Sequence, residues 1–335
     1  MNSLRLIAVG SLLAFVLHLP LLAGAGEPPP FEDAADFPLM GDWTGRWIKP
    51  MGWPQESYPQ VAAHVLPMEP GVYRVVIFND LYRRAFPLAE FSITSDSTSI
   101  AIDEQGWQAE FRPDESVRGF QQRGNHRAKF ELTKAQWAPP TLGAKPPDGA
   151  KILFDGTSLD HWEHEDGRPA TWIITNHVME TVGASWNNGQ NRKDGLGGDL
   201  MCKHRFGSLH YHMEFRYPVE QGKRGQDRGN SGLFFPPLPE LQILNSYTTI
   251  GYYDEAGSLY RHLPATVNAA GPPLVWQTYD VTVELTGNGT ALLTADLNGH
   301  RIHNRVEIKT DATELGLRLQ DHNNRLQWRN IWVKE

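Results

Sequence analysis

Cysteine is nearly absent from this sequence. Cys202 is the only one in 335 residues, so no internal disulfide can form and stability has to come from buried apolar surface. A lone cysteine packs as a small apolar group more often than it reacts. No Cys/His spacing of a zinc site accompanies it. Dense runs of Lys or Arg are missing too, and the formal net charge is -8. Phosphate backbones are bound by clustered cations, so nucleic acid is not an expected partner. The Gly-rich stretch 193–199, KDGLGGD, lacks the Gly-Lys-Ser ending of a phosphate cradle and is read as a loop. No long helical periodicity is visible, which leaves an all-β chain.

Long apolar runs are confined to one place. Leu6 to Leu22 is apolar, Arg5 puts a positive charge ahead of it, and Ala23-Gly24-Ala25 offers small residues for cleavage. Residues 1–25 are therefore expected to be an export signal peptide. Cleavage would leave no stable membrane span and would place the protein in the periplasm or outside the cell. An uncleaved anchor is the alternative, although the run is near the lower limit for a span. No cysteine lies near the cleavage point to take a lipid.

What is plentiful is Trp and Gly, with Pro-rich turns between short strand patterns. Such a mixture suits a β-rich protein that handles carbohydrate. The length suggests about two domains. Residues 26–36 are Pro-rich and acidic and are expected to be a flexible leader. From 37 to 137, the stretches Val72–Phe78, Thr98–Ile102, Trp107–Phe111 and Ala128–Leu132 carry strand signals, with Gly71, Gly106 and Gly124-Asn125 as turns. A small antiparallel β domain is expected there, with no legible chemistry. Residues 138–150, APPTLGAKPPDGA, are expected to be a Pro/Gly linker.

The second domain begins at Lys151. Leu209 to Tyr217 alternates, with Leu209, Tyr211, Met213, Phe215 and Tyr217 on one face. His210, His212, Glu214 and Arg216 form the other, expected to be solvated, which argues against His210 and His212 as a metal pair. Ala291–Leu297 alternates too and ends in the hairpin turn Asn298-Gly299. Short strands at regular spacing predict a β-sandwich.

One stretch stands apart: Arg228 to Ser246, RGNSGLFFPPLPELQILNS. It reads as strand, turn, strand. If Leu241 and Ile243 face a core, Glu240 and Gln242 face outward together. A carboxylate beside an amide on a strand suits the floor of a polar groove. A half-exposed strand of an antiparallel sheet would show the same pattern.

These signals resemble the 3-keto-disaccharide hydrolase domain family. The matching pieces are ILFDGTSLDHW (152–162), LHYHMEFRY (209–217), GNSGLFF (229–235), ELQILNS (240–246), GSLY (257–260), WQTYDVTVE (276–284), LNGHRI (297–302) and LRLQDHNNRLQWRNIWVKE (317–335). They occur in the family's order across 151–335. The resemblance implies a concanavalin A-like jelly roll and action on glycosides oxidised to a ketone at carbon 3. Such a ketone acidifies the hydrogen on carbon 2. A base takes that proton, an electrophile steadies the enolate, and the glycosidic oxygen leaves carbon 1. Water then adds back, for a net hydrolysis. Laminarinase-type jelly rolls carry Glu-x-Asp-x-Glu on one strand; here the comparable strand offers Glu240, Gln242 and Leu244, so two opposed acids are not evident there.

The expected centre is Glu240 with His322. Glu240 suits a base, a metal ligand or an acceptor for a sugar hydroxyl. His322 lies between two strands, and a neutral imidazole can take a proton near pH 7. Many relatives have Gly after this His; here it is Asn323, which tolerates a left-handed turn. Arg228 could stabilise an enolate or be a solvated charge. Asn230, Gln242, Tyr260 and Gln320 are expected to bind the sugar, with Ser231 serving the turn and Trp276 packing. A divalent metal cation, if bound, would take Glu240 and His322. The competing functions are a non-catalytic carbohydrate-binding module and a surface structural protein.

Overall fold

Eight strands between Gly41 and Lys134 follow one another as an antiparallel meander. They are β1 (Gly41–Lys49), β2 (Gln60–Glu69), β3 (Val72–Phe78), β4 (Ala89–Thr94), β5 (Ile100–Glu104), β6 (Trp107–Phe111), β7 (Val117–Arg123) and β8 (His126–Lys134). The order in the sheet, β4-β3-β2-β1-β8-β7-β6-β5, brings the two ends of the meander together, so that β4 meets β5 across a seam. The rolled sheet encloses a packed core that includes Trp43, Trp47, Phe91, Trp107, Phe111 and Phe130. The computed structural model describes residues 31–50, 56–82, 84–95, 98–181 and 197–335. The expected signal peptide, the first residues of the leader and residues 193–196 of the Gly-rich stretch lie outside the described residues.

The remaining strands are β9 (Lys151–Phe154), β10 (Trp162–His164), β11 (Ile173–Thr175), β12 (Val178–Glu180), β13 (Leu200–Cys202), β14 (Leu209–Arg216), β15 (Ser231–Phe234), β16 (Leu241–Ile243), β17 (Gln277–Leu285), β18 (Thr290–Leu297), β19 (His300–Lys309), β20 (Arg318–Leu319) and β21 (Gln327–Lys334). They form a jelly-roll sandwich of two antiparallel sheets. The smaller is β10-β13-β20-β15-β16; the larger is β11-β12-β21-β14-β17-β18-β19, with β9 beside β21. Leu200, Leu233, Leu241, Ile243 and Leu319 of the small sheet share one core with Tyr211, Met213, Phe215, Tyr279 and Trp328 of the large one. Burying that much apolar surface replaces the missing disulfides. Cys202 is a buried free thiol.

The expectation of a solvated face on β14 holds at His210, which is exposed, and fails at His212 and Glu214. His212 is 0 % exposed and Glu214 1 %, because residues 138–150 lie across them rather than spanning free space. Thr141 Oγ1 donates to Asp280 (2.6 Å), the Gly143 amide donates to Glu214 (2.6 Å), and Asn330 donates to the Ala144 carbonyl (2.9 Å). His212 Nδ1 lies 2.7 Å from Asp280, and its ring stacks on Trp332. Burial alone would raise the Glu214 carboxyl. Hydrogen bonds from His212, Asn330, Gly143 and Arg329 instead hold it down at about 2. Trp276 is half-buried and lies outside the core, with the Arg329 guanidinium 4.1 Å and that of Arg216 4.8 Å from its ring.

The meander and the sandwich belong to one compact unit, Glu32–Glu335. Tyr247 of the sandwich donates to Asp42 of β1 (2.5 Å) and stacks on His64 of β2 (4.4 Å between ring centres). Burial lowers the His64 imidazole below its ordinary range.

Candidate active site on the small sheet

Alternation lays out the outer face of the small sheet in rows. Leu233 pairs with Leu241 and with Leu319, and Leu319 pairs with Leu200; all four point into the core. Their neighbours along each strand therefore point outward. Phe234 pairs with Arg318, and Gly232 with Gln242. Beyond β16 the chain returns as an extra edge. Leu259 bridges to Leu241, the Tyr260 amide donates to the Glu240 carbonyl (2.8 Å), and the Gln242 amide donates to the Ser258 carbonyl (2.9 Å). One row thus reads Arg318, Phe234, Glu240, Tyr260. The next reads Gln320, Gly232, Gln242, Ser258.

Glu240 lies across its neighbour strand. A methyl group at Gly232 would fall 2.2 Å from Glu240 Oε1. Burial there pushes the Glu240 carboxyl up to about 7; the Arg318 guanidinium pulls it back, and the Asp199 carboxylate adds to the rise. Arg318 sits flat over Phe234, 3.7 Å from the ring centre, and 3.7 Å from Asp199 Oδ2. Burial likewise raises Asp199, opposed by a hydrogen bond from the Asp321 amide (2.9 Å), by Arg318 and by His322. His322 is therefore within electrostatic reach of the same carboxylate. Asn323 after it is left-handed, with φ 66°, a conformation that Asn tolerates. The loop that carries Asp199 is pinned to this turn by a hydrogen bond from the Gly198 amide to Asp321 (3.0 Å).

The structure therefore gathers Glu240, Gln320 and Tyr260 on one face, with His322 in electrostatic range of Asp199 at its margin; Gln242 shares the row but is a correction, being 1 % exposed beneath the returning edge. Asn230 stands beside Gln242, but its amide holds the turn: it donates to the Gln226 carbonyl (2.7 Å), and Gln226 Oε1 also takes the Gln242 amide (3.2 Å). Ser231 opens β15 instead of serving a turn, and its Oγ donates across the sheet to the Gln320 carbonyl (2.7 Å).

Arg228 is a correction. It is 4 % exposed, and its guanidinium donates to the Asn245 carbonyl (3.0 Å) and meets Met68 Sδ of β2 (3.2 Å). Desolvation lowers it to about 10. It is a packing contact between meander and sandwich, with no surface to offer a sugar. The cation beside Glu240 is Arg318, which alternation in Leu317-Arg318-Leu319-Gln320 could have revealed. Asp199 carries no such local signal.

A divalent cation does not fit these residues. Among the described residues no three His, Cys, Asp or Glu side chains come together as metal ligands. Arg318, 3.7 Å from Asp199 Oδ2, already supplies a positive charge that acts on both carboxyls. Glu240 and His322 therefore gain no third ligand.

An antiparallel sandwich that displays a raised carboxyl, a guanidinium, amides and a tyrosine on one sheet has the build of a carbohydrate-active protein. A family model described as a 3-keto-alpha-glucoside-1,2-lyase-like domain matches residues 149–334, and the chain belongs to that family. A 3-keto-disaccharide hydrolase of Bacteroides thetaiotaomicron is 32 % identical over 90 residues, which is 26 % of this chain and 27 % of that protein. The match thus spans about a quarter of the curated relative's length. Among solved structures, a glycosyl hydrolase candidate from Parabacteroides distasonis is 26 % identical, covering 56 % of this chain and 84 % of that one, with a TM-score of 0.49. An endo-beta-1,4-glucuronan lyase from Trichoderma reesei is 10 % identical, covering 56 % of this chain and 94 % of that one, with a TM-score of 0.35.

Proposed function

We propose that this protein is an exported enzyme that cleaves the glycosidic bond of 3-keto-glycosides by elimination and hydration. The observation that carries the proposal is Glu240: a carboxyl poised near 7 beside a single fixed guanidinium. Proton transfer works best when the group titrates near the working pH. Glu240 takes the proton from carbon 2 of the keto-sugar. Arg318 faces the ketone oxygen and stabilises the enolate as charge develops on it. The electron pair then expels the oxygen on carbon 1. His322 serves the second proton transfer, to the leaving group or from the added water. Gln320 and Tyr260 hold the ring, while Gln242, buried and bonded to Gln226, supports the floor beneath them. Residues 1–25 supply the export signal.

A second reading comes from Asp199. Two carboxyls on one surface are what an ordinary glycosidase uses. Here Arg318 and the Asp321 amide occupy Asp199, which favours the elimination route. The deciding experiment offers the purified protein a 3-keto-glucoside and its unoxidised parent, each with a chromogenic leaving group. Release from the keto form alone is expected, with Glu240→Gln slowing it by ~10²–10⁴-fold. Release from the parent sugar would favour the glycosidase. Binding without release, surviving Glu240→Ala with His322→Ala, would reveal a binding module.

A further inference from the structure

We infer that Gly232 is a positioning residue for Glu240: its missing side chain is the seat on which that carboxyl lies. Glycine inside a strand weakens it, so its presence needs a reason. Backbone conformation is not the reason, because Gly232 is not among the residues with positive φ. Any side chain could be built there if there were room. There is none. An added Cβ would lie 2.2 Å from Glu240 Oε1, 2.8 Å from its Cδ and 2.7 Å from Phe234 Cε2. These are side-chain atoms, so the strand itself would tolerate the change and its neighbours would have to yield.

Phe234 is poorly placed to yield, since the Arg318 guanidinium lies 3.7 Å over its ring. Glu240 is the freer group. It would have to lift by roughly 1 Å or more to regain ordinary contact distance. Lifting moves the carboxyl from the sheet toward water. Desolvation is the main cause of its raised titration, so the seat and the proton affinity are one feature. Arg318 on β20 and Asp199, held by the Asp321 amide, would stay in place.

This role rests on the proposed part of Glu240 in catalysis, but its test does not need turnover. The carboxyl carbons of the full-length protein are labelled with ¹³C at glutamate and titrated, with Glu240→Gln to assign the signal. In the wild type Glu240 should titrate near 7, and in Gly232→Ala it should fall well toward an ordinary glutamate. The lower limb of the pH–rate profile on a 3-keto-glucoside should shift the same way, with kcat reduced more than KM. A folded Gly232→Ala protein whose Glu240 still titrates near 7 would overturn the inference. If Gly232→Ala does not fold, the same change is made in Glu240→Ala. There the collision with Glu240 is gone and only the contact with Phe234 Cε2 remains, so the fall in melting temperature on adding Gly232→Ala should be clearly smaller than in the wild-type background. A fall as large as in the wild-type background would refute the seat. If the wild type leaves keto-glycosides untouched, the catalytic proposal fails while the titration still decides this one.

Discussion

Glu240 should make the protein less stable as the pH rises, and its neutral isostere should relieve the cost. The carboxyl titrates near 7 in the folded chain, against 4.5 for an ordinary glutamate. Below 4.5 it is protonated in both states and costs nothing. Between 4.5 and 7 the unfolded chain loses the proton while the folded chain keeps it, so folding weakens with each pH unit. Above 7 both states are ionised and the loss is complete. At about 1.4 kcal/mol per unit, the difference amounts to about 3 kcal/mol. Glu240→Gln cannot ionise, so its stability relative to wild type should climb by that amount from pH 4.5 to 7 and then level off. On the melting temperature this is roughly 6–12 °C at 2–4 °C per kcal/mol for a domain of this size. Thermal melts of both proteins from pH 4 to 9 measure it. A difference that stays flat with pH, or that falls, would refute the buried seat of this carboxyl and with it the assignment of Glu240 as the proton-transfer group.

Arg318→Met removes the cation proposed to face the enolate, and kcat/KM on a 3-keto-glucoside should fall ~10²–10³-fold. The same change should move the lower limb of the pH–rate profile upward, because Arg318 now pulls the Glu240 carboxyl down; a downward move would contradict the electrostatic arrangement. Tyr247→Phe removes the hydrogen bond to Asp42 and should cost about 1.5–3 kcal/mol, as expected for a bond to a charged acceptor. Urea unfolding measures this, and a loss too small to detect would mean that Asp42 is satisfied by the Tyr82 hydroxyl (3.4 Å) and His64 Nε2 (3.5 Å) alone.

Legibility followed coverage. β6 and β14 read as strands because alternate residues meet the core, β3 because it is β-branched and aromatic, and Asn298-Gly299 reads as a hairpin turn because both residues adopt the left-handed conformation, φ 54° and 79°. β2 showed no such pattern. Val61, Ala63 and Val65 fill the meander, while His64 and Met68 on the opposite parity meet Tyr247 and Arg228 of the sandwich. A strand covered on both faces has no polar side to alternate with. The same cause hid the burial of His212 and Glu214, whose cover comes from residues 138–150, a segment with no regular pattern of its own.

At the site the division is sharper. The outward turn of Glu240 and Gln242 is a local fact, set by a period of two and readable from Leu241 and Ile243. What Glu240 does as an acid is not local. Its titration is shaped by Gly232 on β15, Arg318 on β20 and Asp199 at the start of β13, which only the pairing of distant strands brings together. Arg228 shows the converse: a charge two residues before Asn230 looked suited to the substrate, yet Met68 and Asn245 enclose it. Strand alternation can nominate a residue for a surface, but the proton affinity that makes it chemically useful belongs to the neighbours, and those are chosen by the fold.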